Sequence, residues 1–181
     1  ELYRGKTTVQ VMDESALNRK MLNITAYASQ YCEAVENARE MEKDEFVERM
    51  TELLPQIYGE FASLSPEDVG VLDYGYYQTY VDEQWYDTIR RNVEMVLGPD
   101  DVFLETFEED MKYSDTPIAA SIAESLADIF QALYNFIMVV KETDGQELAG
   151  AYVECRENFA SYWSQTLCNV LRALNHLRFN Q

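Results

Sequence analysis

Residues 116–141 read TPIAASIAESLADIFQALYNFIMVVK, and their apolar side chains recur at steps of three and four. That spacing keeps them on one face of an α-helix. Thr116 is suited to cap the first free N–H groups, and Pro117 fits the first helical turn, where its missing N–H costs nothing. The apolar positions are Ile118, Ile122, Leu126, Ile129, Leu133, Phe136 and Val140. The stretch therefore predicts a central helix from Thr116 to Lys141 that neighbouring helices cover on most sides.

A narrow polar stripe remains on this helix. It consists of Ser121, Glu124, Asp128, Gln131 and Asn135. One interpretation is a solvated strip, or polar side chains that are satisfied at a seam between two helices. The other is a binding site, because Glu124 and Asp128 stand one turn apart and could share a cation. Carboxylate pairs at this spacing are common on helices, which favours the first interpretation.

The rest of the chain has the same helical character. Further helices are predicted over residues 15–41, 44–64, 82–97 and 144–177, each from apolar residues at helical spacing. Four prolines and seven glycines are few for an all-β protein of 181 residues. A chain of this length can bury about 70% of its unfolded surface. We therefore predict an all-α, single-domain bundle of five or six helices over residues 15–181, preceded by an extended arm over residues 1–14. Its last two helices should form a long antiparallel pair.

The chain is strongly acidic, with 33 Asp and Glu residues against 14 Lys and Arg and a net charge of −19. Binding to phosphates needs clustered Lys and Arg, so direct nucleic-acid binding is disfavoured, as is binding to anionic membranes. The charge permits a cation, a basic protein partner, or mimicry of nucleic acid toward a DNA-binding protein. A high net charge can also have no role other than keeping the protein soluble.

The cysteines and the N-terminal residues bear on location. Cys32, Cys155 and Cys168 fall in predicted helices and form no C-x-x-C pair, which is typical of reduced cytoplasmic thiols. Residues 1–6 lack the apolar run of a signal peptide, and the longest unbroken apolar run, 136–140, is too short to span a membrane. We expect a cytoplasmic protein.

Residues 67–81 form the least regular stretch, and they are rich in tyrosine. The tyrosines are Tyr74, Tyr76, Tyr77 and Tyr80, around Gly70 and Gly75. Several tyrosines on a loop can form a recognition surface. They can equally lie as a lid over the core of the bundle with their hydroxyls left in water, and this interpretation is favoured.

Three stretches resemble a known family. They are Glu124-Ser125-Leu126-Ala127-Asp128-Ile129-Phe130, the R-x-x-F-x-x-x-W-x-x-x-L pattern from Arg156 to Leu167, and Tyr86-Asp87-x-Ile89-Arg90. The family is the bacterial, all-helical domain of unknown function 5063. The resemblance implies a helical fold and a bacterial source, and it implies no activity. Members of the family carry histidines where this chain has Tyr162 and Thr166.

Enzyme chemistry finds little support among the residues. The chain has one histidine, His176, and no nucleophile elbow, P-loop or dinucleotide fingerprint. One enzyme alternative rests on a resemblance to MazG-type nucleotide pyrophosphohydrolases, which hold Mg²⁺ with acidic residues on two helices. Its candidate ligands are Glu105, Glu108, Glu109, Glu124 and Asp128. Lys112 and Ser125 depart from that family's E-E-x-x-E and E-x-x-D patterns.

We predict a non-enzymatic binding or protein-interaction module that needs no cofactor. Its partner would be a protein or a small ligand. The pyrophosphohydrolase, with Mg²⁺ as its cofactor, and the acidic nucleic-acid mimic are the alternatives. For the carboxylates on so apolar a helix, the hypothesis is an ion pair across the seam between Asp128 and Arg156. Asp128 and Arg156 lie at a similar distance along the chain from the connection between the two helices near Thr143. The two N–H donors of an arginine guanidinium would offset the cost of removing the Asp128 carboxylate from water.

Overall fold

The computed structural model describes residues 12–71, 73–105, 112 and 116–180, and within them the chain forms six helices and one two-stranded sheet. In order these are α1 (Glu14–Glu36), α2 (Lys43–Ser63), α3 (Pro66–Val69), α4 (Glu83–Leu97), β1 (Val102–Leu104), β2 (Ala119–Ser121), α5 (Ile122–Glu142) and a final helix. The final helix joins α6 (Leu148–Asn158), a π-helical turn (Phe159–Trp163) and α7 (Ser164–Phe179). The predicted all-α bundle with a long C-terminal helix pair is confirmed. Residues 1–11 of the predicted arm lie outside the described residues.

The central helix α5 begins at Ile122, so the prediction that Thr116 and Pro117 open it is wrong. Residues 119–121 are extended instead and pair antiparallel with residues 102–104. Phe103, at the middle of β1, packs against the hydrophobic core. Packing of this kind is a tertiary contribution, and it outweighs the helical preference that residues 118–121 have on their own.

Two side chains cap the true start of α5. The Ser121 hydroxyl accepts a hydrogen bond from the backbone N–H of Glu124 at 3.1 Å. The Asp101 carboxylate accepts from the backbone N–H of Ala123 and from the Ser121 hydroxyl, each at 2.7 Å. Asp101 is only 8% exposed, and its negative charge stands where the helix dipole is positive. The sheet and the helix start are therefore one structural unit.

Helix α5 occupies the middle of the bundle and packs against α1, α4 and both halves of the final helix. Its buried side chains include Leu126, Ile129, Phe130, Leu133 and Phe136. The Tyr31 hydroxyl from α1 donates to the carbonyl oxygen of Leu126 at 2.7 Å. Helix α5 is also the one helix in the described part of the chain with the length and composition of a membrane span. Because 56% of that stretch is buried within the bundle, it equally meets the description of a core helix.

The final helix packs against α2 as well as α5. Trp163 is 1% exposed, with its ring centroid 5.0 Å from that of Phe61 on α2 and 4.7 Å from that of Phe159. The Tyr152 hydroxyl donates to the carbonyl oxygen of Leu64, just past the end of α2, at 2.6 Å. The final helix therefore has one face on each of the two helices, and Asp128 and Asn135 of the polar stripe lie between it and α5.

Candidate functional site

Asp128 and Asn135 of the polar stripe lie at the seam between α5 and the final helix, and Asp128 is the centre of its upper part, toward the start of α5. The Tyr86 hydroxyl from α4 donates to Asp128 Oδ1 at 2.6 Å, and the Tyr162 hydroxyl donates to Asp128 Oδ2 at 2.9 Å. Three elements thus meet at one half-buried carboxylate. We call Tyr86, Glu124, Asp128 and Tyr162 the Asp128 cluster.

Tyr162 lies within the π-helical turn of the final helix. A π turn widens the helix locally and changes the direction of the side chains that follow. Phe159 and Trp163, at the two ends of the turn, are buried, whereas Tyr162 is 60% exposed. Tyr162 therefore lies with its hydroxyl on Asp128 and much of its ring in solvent.

Both tyrosines of the cluster are held in their protonated form. Burial, then the hydrogen bond to Asp128 and its negative charge, raise the pKa of Tyr162 to about 12, although a hydrogen bond with Thr166 works in the opposite direction. The same causes, in the same order, raise the pKa of Tyr86 well above its ordinary value. At neutral pH both hydroxyls are donors, so the carboxylate keeps two fixed partners.

Glu124 and Asp128 are in no ion pair with any residue that the structure describes. Glu124 is exposed, and its backbone carbonyl lies 3.3 Å from the Tyr86 hydroxyl. Among the described residues no three Asp, Glu, His or Cys side chains come together as metal ligands would. Glu105 follows β1, where its backbone N–H donates to the Ile118 carbonyl at 2.8 Å. Glu108 and Glu109 lie outside the described residues.

The predicted ion pair between Asp128 and Arg156 is wrong. Arg156 lies over the ring of Phe159, with its guanidinium carbon 5.4 Å from the ring centroid, and its Nε atom is buried without a hydrogen-bond partner. It lies one turn after Tyr152, the residue that bonds to the end of α2, so it shares that face of the helix. The face toward α5 is marked by Cys155, whose thiol donates to the Ala132 carbonyl. Distance from the joint does not determine which way a helical side chain points.

The lower part of the seam is covered by residues 73–81, which we call the tyrosine strap. Asn135 Oδ1 accepts from the backbone N–H groups of Tyr80 and Val81, at 2.7 and 3.1 Å. The predicted lid is confirmed in that Tyr74, Tyr77 and Tyr80 pack against the core. Tyr76 departs from it, because its side chain is 95% exposed.

The strap tyrosines are fastened to the final helix by carboxylates. The Tyr74 hydroxyl donates to Glu157, and the Tyr77 hydroxyl donates to Glu147 at 2.9 Å. Both hydrogen bonds are exposed, so these hydroxyls have protein partners while they remain in contact with solvent. The pKa of Tyr74 is raised to about 12, first by the bond to Glu157, and that of Tyr77 to about 12, first by burial and then by the bond to Glu147. The two rings stack with centroids 6.4 Å apart.

A cavity of about 130 Å³ lies under the strap, between α5 and α6. Its lining includes Tyr77 and Thr79 from the strap, Asn135 from α5, and Glu154 and Asn158 from α6. Asn135 stands seven positions after Asp128 on α5, so the cavity and the Asp128 cluster are about 10 Å apart along the helix axis. The seam therefore contains two separate polar sites, the Asp128 cluster and the cavity, on the same face of α5.

Together, the fold and this seam define an all-α bundle in which tyrosines and carboxylates are paired around a central helix. The family model named Domain of unknown function (DUF5063) matches residues 15–180, and the chain belongs to that family. A comparison with curated proteins finds no match.

A solved structure has the same fold. It is the crystal structure of protein BF1032 from Bacteroides fragilis, a target of the Northeast Structural Genomics Consortium. The two superpose with a TM-score of 0.76 at 25% sequence identity, over 91% of this chain and 96% of the other. The likeness therefore extends over the whole bundle.

Sequence reasoning identified Glu124 and Asp128 but missed their true neighbours. The partners of Asp128 are Tyr86 and Tyr162. Both positions were within reach, because Tyr86 begins one of the stretches that resemble the family and Tyr162 lies within another. The π turn that contains Tyr162 has no mark in the residue spacing.

Proposed function

We propose that this protein is a non-enzymatic protein-interaction module that binds a basic segment of a partner protein at the Asp128 cluster. The observation that carries the proposal is the exposed ring of Tyr162, held beside a carboxylate that has no cationic partner among the described residues. Asp128 is oriented by two hydroxyl donors but not neutralised by them. A lysine or arginine side chain from a partner supplies the missing positive charge.

The cluster offers the groups that such a side chain needs. A carboxylate has about four lone-pair positions, and the tyrosine hydroxyls use one on each oxygen of Asp128. Glu124 adds a second carboxylate one turn away on the same face of α5. The exposed part of the Tyr162 ring provides an aromatic surface for a cation. Fixed acceptors beside a π surface suit a guanidinium group, which is planar and donates in a fork.

The charge of the whole chain favours the same kind of partner. A net charge of −19 repels acidic surfaces and attracts basic ones over several ångströms. Attraction of this kind acts mainly on the rate of association and is screened by salt. We therefore expect the complex to form quickly at low salt and to weaken as salt is added.

The test is binding of a fluorescent peptide rich in Lys and Arg, followed by anisotropy, with an acidic peptide of the same length as the negative control. Asp128→Asn and Tyr162→Ala should each weaken binding about tenfold, which corresponds to about 1.4 kcal/mol. The matched control is Glu33→Gln, which removes one exposed charge on α1 and should leave the affinity nearly unchanged. Equal affinity of all three variants for the basic peptide would contradict the proposal.

Two other outcomes would replace the proposal. Release of pyrophosphate from nucleoside triphosphates with Mg²⁺ or Mn²⁺, lost in Glu124→Gln and Asp128→Asn, would favour the metal-dependent pyrophosphohydrolase. Competition with DNA for the basic cleft of a DNA-binding protein, insensitive to the Asp128 variants, would favour the nucleic-acid mimic.

A further inference from the structure

The cavity under the tyrosine strap has a lining of two chemical kinds. Its apolar wall includes Ala132, Phe136, Val139 and Ala151. Its polar wall includes the side chains of Asn135, Glu154 and Asn158. Glu154 is its one carboxylate, and no Lys, Arg or His side chain is part of the lining. The cavity thus combines one negative charge and three amides, those of Gln78, Asn135 and Asn158, with a surface suited to a short alkyl chain.

Asn135 and Glu154, on the polar wall, can form further hydrogen bonds or ion pairs. Asn135 uses its Oδ1 atom to hold the strap, and Glu154 forms no ion pair with any residue in the described part of the chain. Burial and the neighbouring charge of Glu157 raise the pKa of Glu154, because nothing positive offsets its ionised form. A half-buried carboxylate of this kind is stabilised when a cation enters beside it.

The size of the cavity limits what can enter. An engineered protein cavity of about 150 Å³ takes up benzene, so a cavity of about 130 Å³ admits a ligand of only a few non-hydrogen atoms. We propose that this cavity is a binding site for a small primary alkylammonium ion, with its ammonium group on Glu154 and its alkyl chain against the apolar wall. This site is distinct from the Asp128 cluster and does not depend on the proposed function.

The strap is arranged as the outer wall of this site. Gly150 on α6 is buried against the strap, and a Cβ atom there would overlap the Tyr77 hydroxyl. The absence of a side chain at position 150 is what lets the Tyr77 ring lie at the edge of the cavity. The Tyr77 hydroxyl is held by one hydrogen bond to Glu147, and Tyr77 itself lies outside the helices. Its ring can therefore rotate outward without unfolding a helix. The ligand would enter and leave by this route.

The experiment is an NMR titration of the isotope-labelled protein with three probes of similar size: n-propylammonium, the neutral 1-propanol and the anion propionate. It is carried out at about 0.15 M salt, where the Debye length is about 8 Å and diffuse attraction to an acidic surface is reduced. We expect saturable shifts of the Asn135 and Asn158 side-chain amide signals with n-propylammonium alone. Affinity in the millimolar range is appropriate for so small a ligand.

Variants distinguish the site from general cation binding. Glu154→Gln keeps the shape of the side chain and should weaken binding at least tenfold, whereas Glu33→Gln, which removes an equal charge from α1, should not. Gly150→Ala should weaken binding by displacing Tyr77 while the helices stay folded by circular dichroism. The Asn135 and Asn158 signals report on the cavity itself, so a failure here does not bear on the Asp128 cluster.

Three outcomes would overturn the inference. The first is a response to 1-propanol equal to that to n-propylammonium. The second is unchanged affinity in Glu154→Gln. The third is a set of shifts spread over the acidic surface and reduced equally by Glu154→Gln and Glu33→Gln, because that pattern is the response of net charge alone.

Discussion

At the scale of single residues, the seam shows how a carboxylate is accommodated beside an apolar helix without an ion pair. The two oxygens of Asp128 each accept one tyrosine hydroxyl. A buried polar group costs little when it is hydrogen-bonded, and a tyrosine adds a large apolar ring next to the bond that it donates. The tyrosines therefore provide the hydrogen bonds for which an arginine had been expected.

Trp163 gives the residue-scale prediction for stability. Its ring is buried between Phe61 and Phe159, where it joins the final helix to α2. Trp163→Ala should lower the free energy of unfolding by about 3–5 kcal/mol, since it removes a large buried side chain and leaves a cavity. Urea unfolding followed by circular dichroism measures the change. Phe179→Ala is the control, because that ring is 65% exposed and its removal should cost far less. Equal losses in the two variants would contradict the packing.

At the scale of elements, the tyrosine strap has no regular secondary structure and depends on contacts to other elements for its position. Among the described residues, its hydrogen bonds to other elements go to Asn135 on α5 and to Glu147 and Glu157 at the final helix. A segment held by so few bonds opens locally at lower free energy than a helix does. The strap is therefore the part of the seam that can move while the bundle stays intact.

Asn135 gives the element-scale prediction. One oxygen atom accepts from two backbone N–H groups of the strap, so Asn135→Ala leaves both N–H groups of Tyr80 and Val81 without their partner. We expect hydrogen exchange at these two amides to become faster and global stability to fall by about 1–3 kcal/mol. Asn135→Asp keeps an acceptor at that place and should preserve most of the protection. Unchanged exchange in Asn135→Ala would show that other contacts hold the strap.

At the scale of the whole molecule, tyrosines with raised pKa values link stability to alkaline pH. Those in the described part of the chain with a marked rise include Tyr31, Tyr74, Tyr77, Tyr86, Tyr152 and Tyr162. Burial is the largest cause for all of them except Tyr74, for which it is the bond to Glu157. Each hydroxyl holds its proton more tightly in the folded chain than in the unfolded chain, where its pKa is about 10.

The sign of the effect follows from this difference. Below about pH 10 the tyrosines are protonated in both states, and the stability that they contribute is fully present. Above that pH the unfolded chain loses protons first, so stability falls progressively through about pH 12 and beyond. We predict that the urea midpoint drops steeply over this window, and that Tyr86→Phe makes the drop shallower. Tyr76→Phe, at an exposed ring, is the matched control. A flat midpoint across the window would contradict the prediction.

Residue spacing alone determined the all-α class, the existence of the five long helices and their apolar faces, and the polar stripe with Glu124 and Asp128. These features are local, because a repeat of three and four residues directly reports one face of a helix.

The tertiary structure decided the start of α5, where pairing with residues 102–104 overrides helix propensity. It also decided that Asp128 faces Tyr162 while Arg156 faces the ring of Phe159. Successive helical side chains differ in direction by about 100°, and a π turn shifts that sequence again. Which side chains meet at the seam therefore depends on how three helices are oriented when they pack. That orientation cannot be read from the positions of the residues along the chain.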